Sequence, residues 1–137
     1  MLAEWLVAAS PAQAASSSAA PPISCSYYLY APGVGDSCFQ PDGDVTWLDD
    51  IDDDGWNPEV MLEASYPAEG NSYKTRFCTH DPDSRWQSCN FDHRETHCVR
   101  WWIYERNASS PNLTRLAKGP TPWLGADDGR PGNCIIE

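Results

Sequence analysis

Six cysteines constrain the folding of this 137-residue chain more than any other feature of its sequence. No two of them form a C-x-x-C motif, which would have favoured a metal site or a redox-active pair. An even number of cysteines without that motif is typical of disulfides that form in an oxidising compartment. We therefore expect three disulfides and an exported fold that depends on them, because a chain of this length buries only a modest core.

The cysteine pairing is only partly constrained by the sequence, because six cysteines allow many combinations. Cys78 and Cys89 form the preferred pair, since they lie symmetrically about a predicted turn at Asp83 and Ser84 and would face each other across a hairpin. A bond from Cys134 would hold the C-terminal segment against the sheet. The predicted disulfides are Cys78–Cys89, Cys25–Cys38 and Cys98–Cys134.

The N-terminal segment has features of a secretory signal peptide. Leu2 to Ala9 is a short apolar run, interrupted by one acidic residue, and Ala12-Gln13-Ala14 matches the small-residue pattern of a cleavage site. We expect a signal peptide at 1–14, a flexible Ala/Ser/Pro-rich lead-in at 15–22 and one domain at 23–137. No later apolar run has the length of a membrane span, so the expected product is a secreted, monomeric protein.

Short runs of alternating apolar and polar residues indicate β-strands. Val60 to Tyr66 alternates in this way, and 12 prolines and 9 glycines provide turns between such runs. Three further strands, Tyr73 to Thr79, Trp86 to Phe91 and Thr96 to Glu105, are predicted to form an antiparallel meander. The sequence therefore predicts an all-β fold, a small disulfide-stapled antiparallel β-sandwich of about seven strands.

The net charge of −11 is unevenly distributed along the chain. Residues 1–73 hold twelve acidic residues and no basic one, whereas residues 74–137 hold nine basic and eight acidic residues. An acidic half of this kind repels phosphate backbones and anionic lipid, which argues against a nucleic acid or a membrane surface as the partner. The expected partner is an extracellular protein or a polysaccharide, and the acidic half suits a cation.

Several short motifs follow one another over roughly residues 38–106. They are Cys38-Phe39, Gly43-Asp44, Asp50, Asp54-Gly55, Cys78 and the W-Q-S-C-N segment from Trp86 to Asn90. This order resembles that of a group of small secreted actinobacterial proteins. The resemblance implies a secreted β-sandwich, and it implies no catalytic residues.

The stretch from Asp42 to Gly55 contains seven aspartates in fourteen residues. Its residues 50–55 spell D-x-D-x-D-G, in which alternate carboxylates converge on a hard cation and the glycine allows a sharp turn. An EF-hand is excluded, because Met61 stands where the last loop position requires a bidentate acid. The alternative to a metal site is a solvated acidic loop. The predicted calcium ligands are Asp44, Asp50, Asp52, Asp54 and Glu59.

Tryptophans provide a second candidate site. Exposed aromatic rings on one sheet face can stack on sugar rings, so Trp101, Trp102 and Trp123 form a candidate sugar-binding platform. The alternative is that the tryptophans form the core of a domain short of leucine and isoleucine. That alternative is favoured by Trp101 and Trp102, because adjacent residues of a strand point to opposite faces.

The three histidines lie near cysteines but do not form a recognisable zinc motif. The segment H-R-E-T-H from His93 to His97 differs from H-E-x-x-H, since its glutamate is one position late. Exported thiols also tend to be oxidised. We therefore interpret His80, His93 and His97 as ordinary loop residues.

These observations support a secreted, non-enzymatic binding or interaction protein, which calcium could stabilise. The first alternative is a carbohydrate-binding module, and the next is a small hydrolase with paired carboxylates. The last is a secreted inhibitor that inserts the proline-rich segment from Pro120 to Gly125 into the cleft of a partner.

Overall fold

The computed structural model describes residues 20–22, 24–50, 55–70, 72–80, 85–91 and 98–131. These residues form nine β-strands and a short 3-10 helix, and no helix among them is long and apolar enough to cross a membrane. The predicted all-β class is confirmed, with nine strands in place of about seven. The elements are β1 (Ser26–Ala31), β2 (Gly35–Gln40), β3 (Val45–Asp50), β4 (Trp56–Tyr66), the 3-10 helix (Pro67–Glu69), β5 (Ser72–Thr79), β6 (Trp86–Asn90), β7 (Cys98–Asn107), β8 (Thr114–Lys118) and β9 (Leu124–Gly125).

The strands form two antiparallel sheets that pack face to face. Sheet I has the order β1-β2-β3-β6, and sheet II has the order β5-β4-β7-β8, with β9 also paired to β7. Phe39 on β2 lies 6.3 Å from Trp101 on β7, measured between ring centroids, so the two sheets contact each other through their inner faces. The predicted sandwich is therefore the observed architecture.

The core lies between the two sheets and follows the alternation of the strands. On β4, Val60 and Leu62 are fully buried, whereas the intervening Met61 is only partly buried. On β7, Val99 and Ile103 are fully buried in the same manner. Burial of each such side chain contributes roughly 1.5–3 kcal/mol, which makes the paired inner faces the main source of stability.

The predicted meander is wrong, although its three strands exist as β5, β6 and β7. Strand β4 pairs with β5 on one edge and with β7 on the other, and its Met61 lies opposite both Phe77 and Trp102. Strand β6 pairs with β3 in sheet I instead. Strands β5 and β6, which follow each other in the chain, therefore belong to different sheets.

Two of the three predicted disulfides are present, with Cα–Cα distances of 5.9 Å for Cys25–Cys38 and 5.8 Å for Cys78–Cys89. Cys78–Cys89 does not lie across a hairpin. It joins β5 to β6, which are edge strands of different sheets, and so links the two layers of the sandwich covalently. The third predicted pair includes Cys134, which lies outside the described residues.

The N-terminal predictions fall almost entirely outside the described residues. The predicted signal peptide at 1–14 is not among them, and of the lead-in at 15–22 only residues 20–22 are. The two disulfides are consistent with an oxidising, extracellular environment. Secretion itself stays a prediction from the sequence.

Candidate functional site

The outer face of sheet II carries a continuous set of aromatic side chains, which we call the aromatic face. These side chains lie on residues that alternate with the core positions of β5 and β7, and one follows the loop after β8. Phe77 is 55% exposed and Tyr73 is 47% exposed, whereas the other three rings are partly buried. Exposed aromatic groups in one patch are typical of a binding surface. The aromatic face consists of Tyr73, Phe77, Trp102, Tyr104 and Trp123.

At one end of the aromatic face, an arginine holds two tryptophans in place. The Arg100 guanidinium carbon lies 5.1 Å from the ring centroid of Trp102 and 4.4 Å from that of Trp123. Arg100 Nε donates to Glu63 Oε1 at 2.9 Å, and Tyr73 stacks on Trp123 with 5.8 Å between ring centroids. These cation–π and ion-pair contacts fix the orientation of the rings before any ligand arrives.

At the other end of the aromatic face lies an open cavity of about 240 Å³. Its buried acidic residue is Glu59, which is 6% exposed. Glu59 Oε1 accepts a hydrogen bond from Arg106 Nη2 at 2.8 Å, and Oε2 accepts one from Thr79 Oγ1 at 2.7 Å. The cavity is lined by Glu59, Met61, Phe77, Tyr104, Arg106 and Thr114.

The structure brings together two of the three predicted platform residues. Trp102 and Trp123 both lie close to the Arg100 guanidinium on the aromatic face. Trp101 is fully buried, and its Nε1 donates to Ser37 Oγ at 2.8 Å across the core. Trp101 was therefore wrongly assigned to the platform, because its position on β7 turns it toward sheet I.

Sequence reasoning missed Tyr73, Phe77 and Tyr104 as members of the aromatic face. A signal for the first two was present, because Tyr73 and Phe77 share one face of the predicted strand from Tyr73 to Thr79. What the sequence did not contain was the position of β4 between β5 and β7. That position places Phe77 and Trp102 on either side of Met61 in a single row.

Of the five predicted calcium ligands, the three that the structure describes do not form a common metal site. Asp44 immediately precedes β3 and Asp50 ends it, so the six residue steps between them correspond to about 20 Å of chain. Glu59 lies on the aromatic face, where it is already bound by Arg106. Asp52 and Asp54 lie outside the described residues, and the residues that are described contain no group of three or more His, Cys, Asp or Glu that could hold a metal ion.

Of the three histidines, the structure describes His80. It is 2% exposed, and its Nε2 lies 2.8 Å from the carbonyl oxygen of Arg85. Its backbone N–H donates to the carbonyl of Pro58 at 3.2 Å. His80 thus contributes to the packing at the end of β5, while His93 and His97 lie outside the described residues.

A pair of carboxylates lies on the outer face of sheet I. Asp36 and Asp49 are directly opposite each other on β2 and β3, and Arg85 Nε lies 3.2 Å from Asp49 Oδ1. Burial raises the pKa of the Asp36 carboxyl, the hydrogen bond from the Ser37 backbone N–H opposes this shift, and the Asp49 charge adds to it. This pair lies on the opposite side of the sandwich from the aromatic face, so it is not positioned to act on a ligand bound there.

The segment from Pro120 to Gly125 is packed against β7. Thr121 is 3% exposed, and its backbone N–H donates to the carbonyl of Trp101 at 2.9 Å. Leu124 is fully buried and pairs with Val99. The segment is therefore not the protruding loop that the inhibitor hypothesis requires.

The aromatic face thus combines exposed rings, fixed polar groups and a cavity. Comparison with known proteins gives no match to a protein-family model, to a curated protein or to a solved structure. Function must therefore be argued from the geometry of this face.

Proposed function

We propose that the protein is an exported, non-enzymatic binding protein that holds a polysaccharide chain on its aromatic face. The observation that carries this proposal is the contact of Arg100 with both Trp102 and Trp123, together with the stacking of Tyr73 on Trp123. Aromatic rings can stack on the apolar faces of sugar rings, and adjacent charged groups can bind their hydroxyls. The secreted setting rests on the sequence and on the two disulfides.

The shape and charge of the aromatic face favour a sugar chain over other ligands. Its rings lie on β5, on β7 and in the segment between β8 and β9. Because β4 lies between β5 and β7, the rings extend over at least two strand spacings, or about 10 Å. An extended chain fits such a row better than a single small molecule does. The Arg100–Glu63 and Arg106–Glu59 ion pairs leave no net charge there, so a nucleic acid gains little attraction.

Binding is favoured over hydrolysis on this face by the contacts of its carboxylates. Glu59 and Glu63 each accept a hydrogen bond from an arginine. These charge-assisted contacts hold both carboxylates in fixed positions as hydrogen-bond acceptors. The proposed role on this face is therefore adhesion to a polymer.

We predict that replacing Trp102 and Trp123 by alanine weakens polysaccharide binding by roughly tenfold or more, which corresponds to about 1.4 kcal/mol or more. The measurement is retention of the protein by insoluble cellulose, chitin, xylan and β-1,3-glucan, followed by titration of the retained polymer. Trp47→Ala is the matched control, because Trp47 is a partly buried tryptophan on the outer face of sheet I. If no polymer retains the unmodified protein, the polysaccharide proposal is wrong. The remaining candidate ligand for the aromatic face is then a protein.

Calcium binding by the D-x-D-x-D-G segment at residues 50–55 stays a separate proposal. Gly55 has φ of +82°, the left-handed conformation that the glycine of a D-x-D-x-D-G turn requires. The proposed ligands are Asp50, Asp52 and Asp54, the last two of which lie outside the described residues. Asp44 and Glu59 are not included, because Asp44 precedes β3 and Glu59 is bound by Arg106. Calcium would stabilise this segment by bridging its carboxylates.

We expect calcium to raise the melting temperature of the protein, and a chelator to lower it to the calcium-free value. A site with a dissociation constant of about 0.1 mM is typical of the tighter extracellular calcium sites. At 1 mM calcium, such a site increases the free energy of unfolding by about 1.4 kcal/mol. Asp50→Asn should remove the response, and Asp44→Asn should keep it. A melting temperature that does not change at millimolar calcium would exclude the site.

A further inference from the structure

The lining of the cavity on the aromatic face combines apolar and polar side chains. Met61, Phe77 and Tyr104 supply its apolar surface, and Phe77 is 55% exposed. Glu59 and Arg106 supply its charged groups. At about 240 Å³ the cavity is smaller than the ~300 Å³ at which pockets begin to take drug-sized molecules, so it suits a single ring.

The charged groups of the cavity are held in place by contacts within the protein before a ligand binds. Glu59 is fixed by Arg106 and Thr79, and Arg106 Nη1 also donates to the carbonyl of Pro111 at 2.6 Å. A carboxylate has about four acceptor positions and a guanidinium has five donors, so both groups retain capacity for a ligand beyond these contacts. A ligand with neighbouring hydroxyls could then donate to Glu59 and accept from Arg106 without a rearrangement.

The charge of the cavity distinguishes between classes of sugar. The Glu59 carboxylate compensates the Arg106 guanidinium at 2.8 Å, so the pair has no net formal charge. An anionic sugar would have to compete with Glu59 for Arg106, and it would approach a protein whose net charge is −11. A neutral ring meets neither obstacle.

We propose that this cavity is the subsite for one neutral pyranose ring of the bound polysaccharide, an inference that rests on the proposed function of the aromatic face. The ring packs its C–H face against Tyr104 and Phe77, and its hydroxyls bond to Glu59 and Arg106. Glu59 acts as a specificity determinant, because its charge cancels the attraction of Arg106 for uronic acids.

The test is isothermal titration with hexasaccharides of the retained neutral polymer and with hexagalacturonate as the anionic probe. Phe77→Ala should lower the affinity for the neutral hexasaccharide by roughly tenfold. The melting temperature should stay close to that of the unmodified protein, because Phe77 is 55% exposed. Trp47→Ala again serves as the matched aromatic control outside this face.

Glu59→Gln gives a readout that a purely structural role would not produce. The amide is close in shape to the carboxylate but carries no charge. The lining residues of the cavity then have a net formal charge of +1, from Arg106. The preference for the neutral over the anionic hexasaccharide should fall by roughly tenfold. A folded Glu59→Gln variant with an unchanged preference would overturn the assignment.

The outcomes separate this inference from the proposed function. If the unmodified protein binds the neutral polymer and Phe77→Ala binds it equally well, the cavity assignment is wrong and the polysaccharide function stands. If the unmodified protein binds the anionic hexasaccharide more tightly than the neutral one, the cavity assignment is likewise wrong and the polysaccharide function stands. If the unmodified protein binds no polysaccharide at all, both proposals are wrong.

Discussion

The Trp101→Ala variant is expected to lose about 3–5 kcal/mol of the free energy of unfolding, the usual cost of truncating a fully buried aromatic residue. Trp101 contacts both layers of the sandwich. Its ring lies 6.3 Å from those of Phe39 and Tyr27, measured between centroids, and its Nε1 donates to Ser37 Oγ. Alanine would leave a cavity between the sheets and remove the donor to Ser37. Urea denaturation followed by far-ultraviolet circular dichroism measures the loss.

Trp102→Ala is the matched control, because the two tryptophans are adjacent in sequence and lie on opposite faces of β7. Trp102 is partly buried, so its truncation should cost about 1 kcal/mol while it weakens ligand binding. Trp101→Phe covers the case in which Trp101→Ala does not fold, since it retains a ring and should lose roughly 1–3 kcal/mol. A smaller loss for Trp101→Phe than for Trp102→Ala would contradict the assignment of Trp101 to the core.

The faces of individual strands could be predicted from the sequence, because side chains alternate with a period of two residues. The alternation of Val60 and Leu62 with Met61 correctly separated the inner and outer faces of β4. The same rule correctly placed Trp101 and Trp102 on opposite faces. It could not say which of the two was inside, since both faces of β7 carry apolar residues.

The pairing of the strands could not be predicted, because it depends on contacts between residues distant in sequence. The segment from His80 to Ser84 contains turn-forming residues, but a hairpin and a crossing between sheets both require a turn. The pairing of β5 with β4 and of β6 with β3 decides between them. The disulfide between Cys78 and Cys89 was therefore predicted correctly from a hairpin that does not exist.

The candidate sites show the same limit. Asp44 and Asp50 are close in sequence, yet the strand between them keeps them apart. Phe77 and Trp102 are distant in sequence, yet the position of β4 places them in one row. The sequence therefore supplied the kinds of residue for a binding surface, and the sheet order determined which of them act together.

The second large effect is expected from removal of the disulfide between the sheets. The Cys78→Ala/Cys89→Ala variant should lose roughly 3 kcal/mol from loop-closure entropy alone, because the bond closes a loop with a sequence separation of 11. Cys78 is fully buried and packs within the core, so the loss of its sulfur adds to this cost. Urea denaturation without a reducing agent measures the total.

The Cys25→Ala/Cys38→Ala variant is the matched control. Its disulfide closes a loop with a similar separation of 13, but it joins the residue before β1 to β2 of the same sheet. The loop-closure terms of the two variants are therefore nearly equal, and the difference between them reports on the covalent link between layers. We expect the inter-sheet variant to be the less stable one, with faster amide hydrogen exchange in the edge strands β5 and β6. In the control variant, amide hydrogen exchange should be faster in β1 instead, because the removed disulfide holds this edge strand of sheet I to β2. If both variants lose equal stability and accelerate exchange in the same strands, the disulfide between Cys78 and Cys89 does not hold the two sheets together.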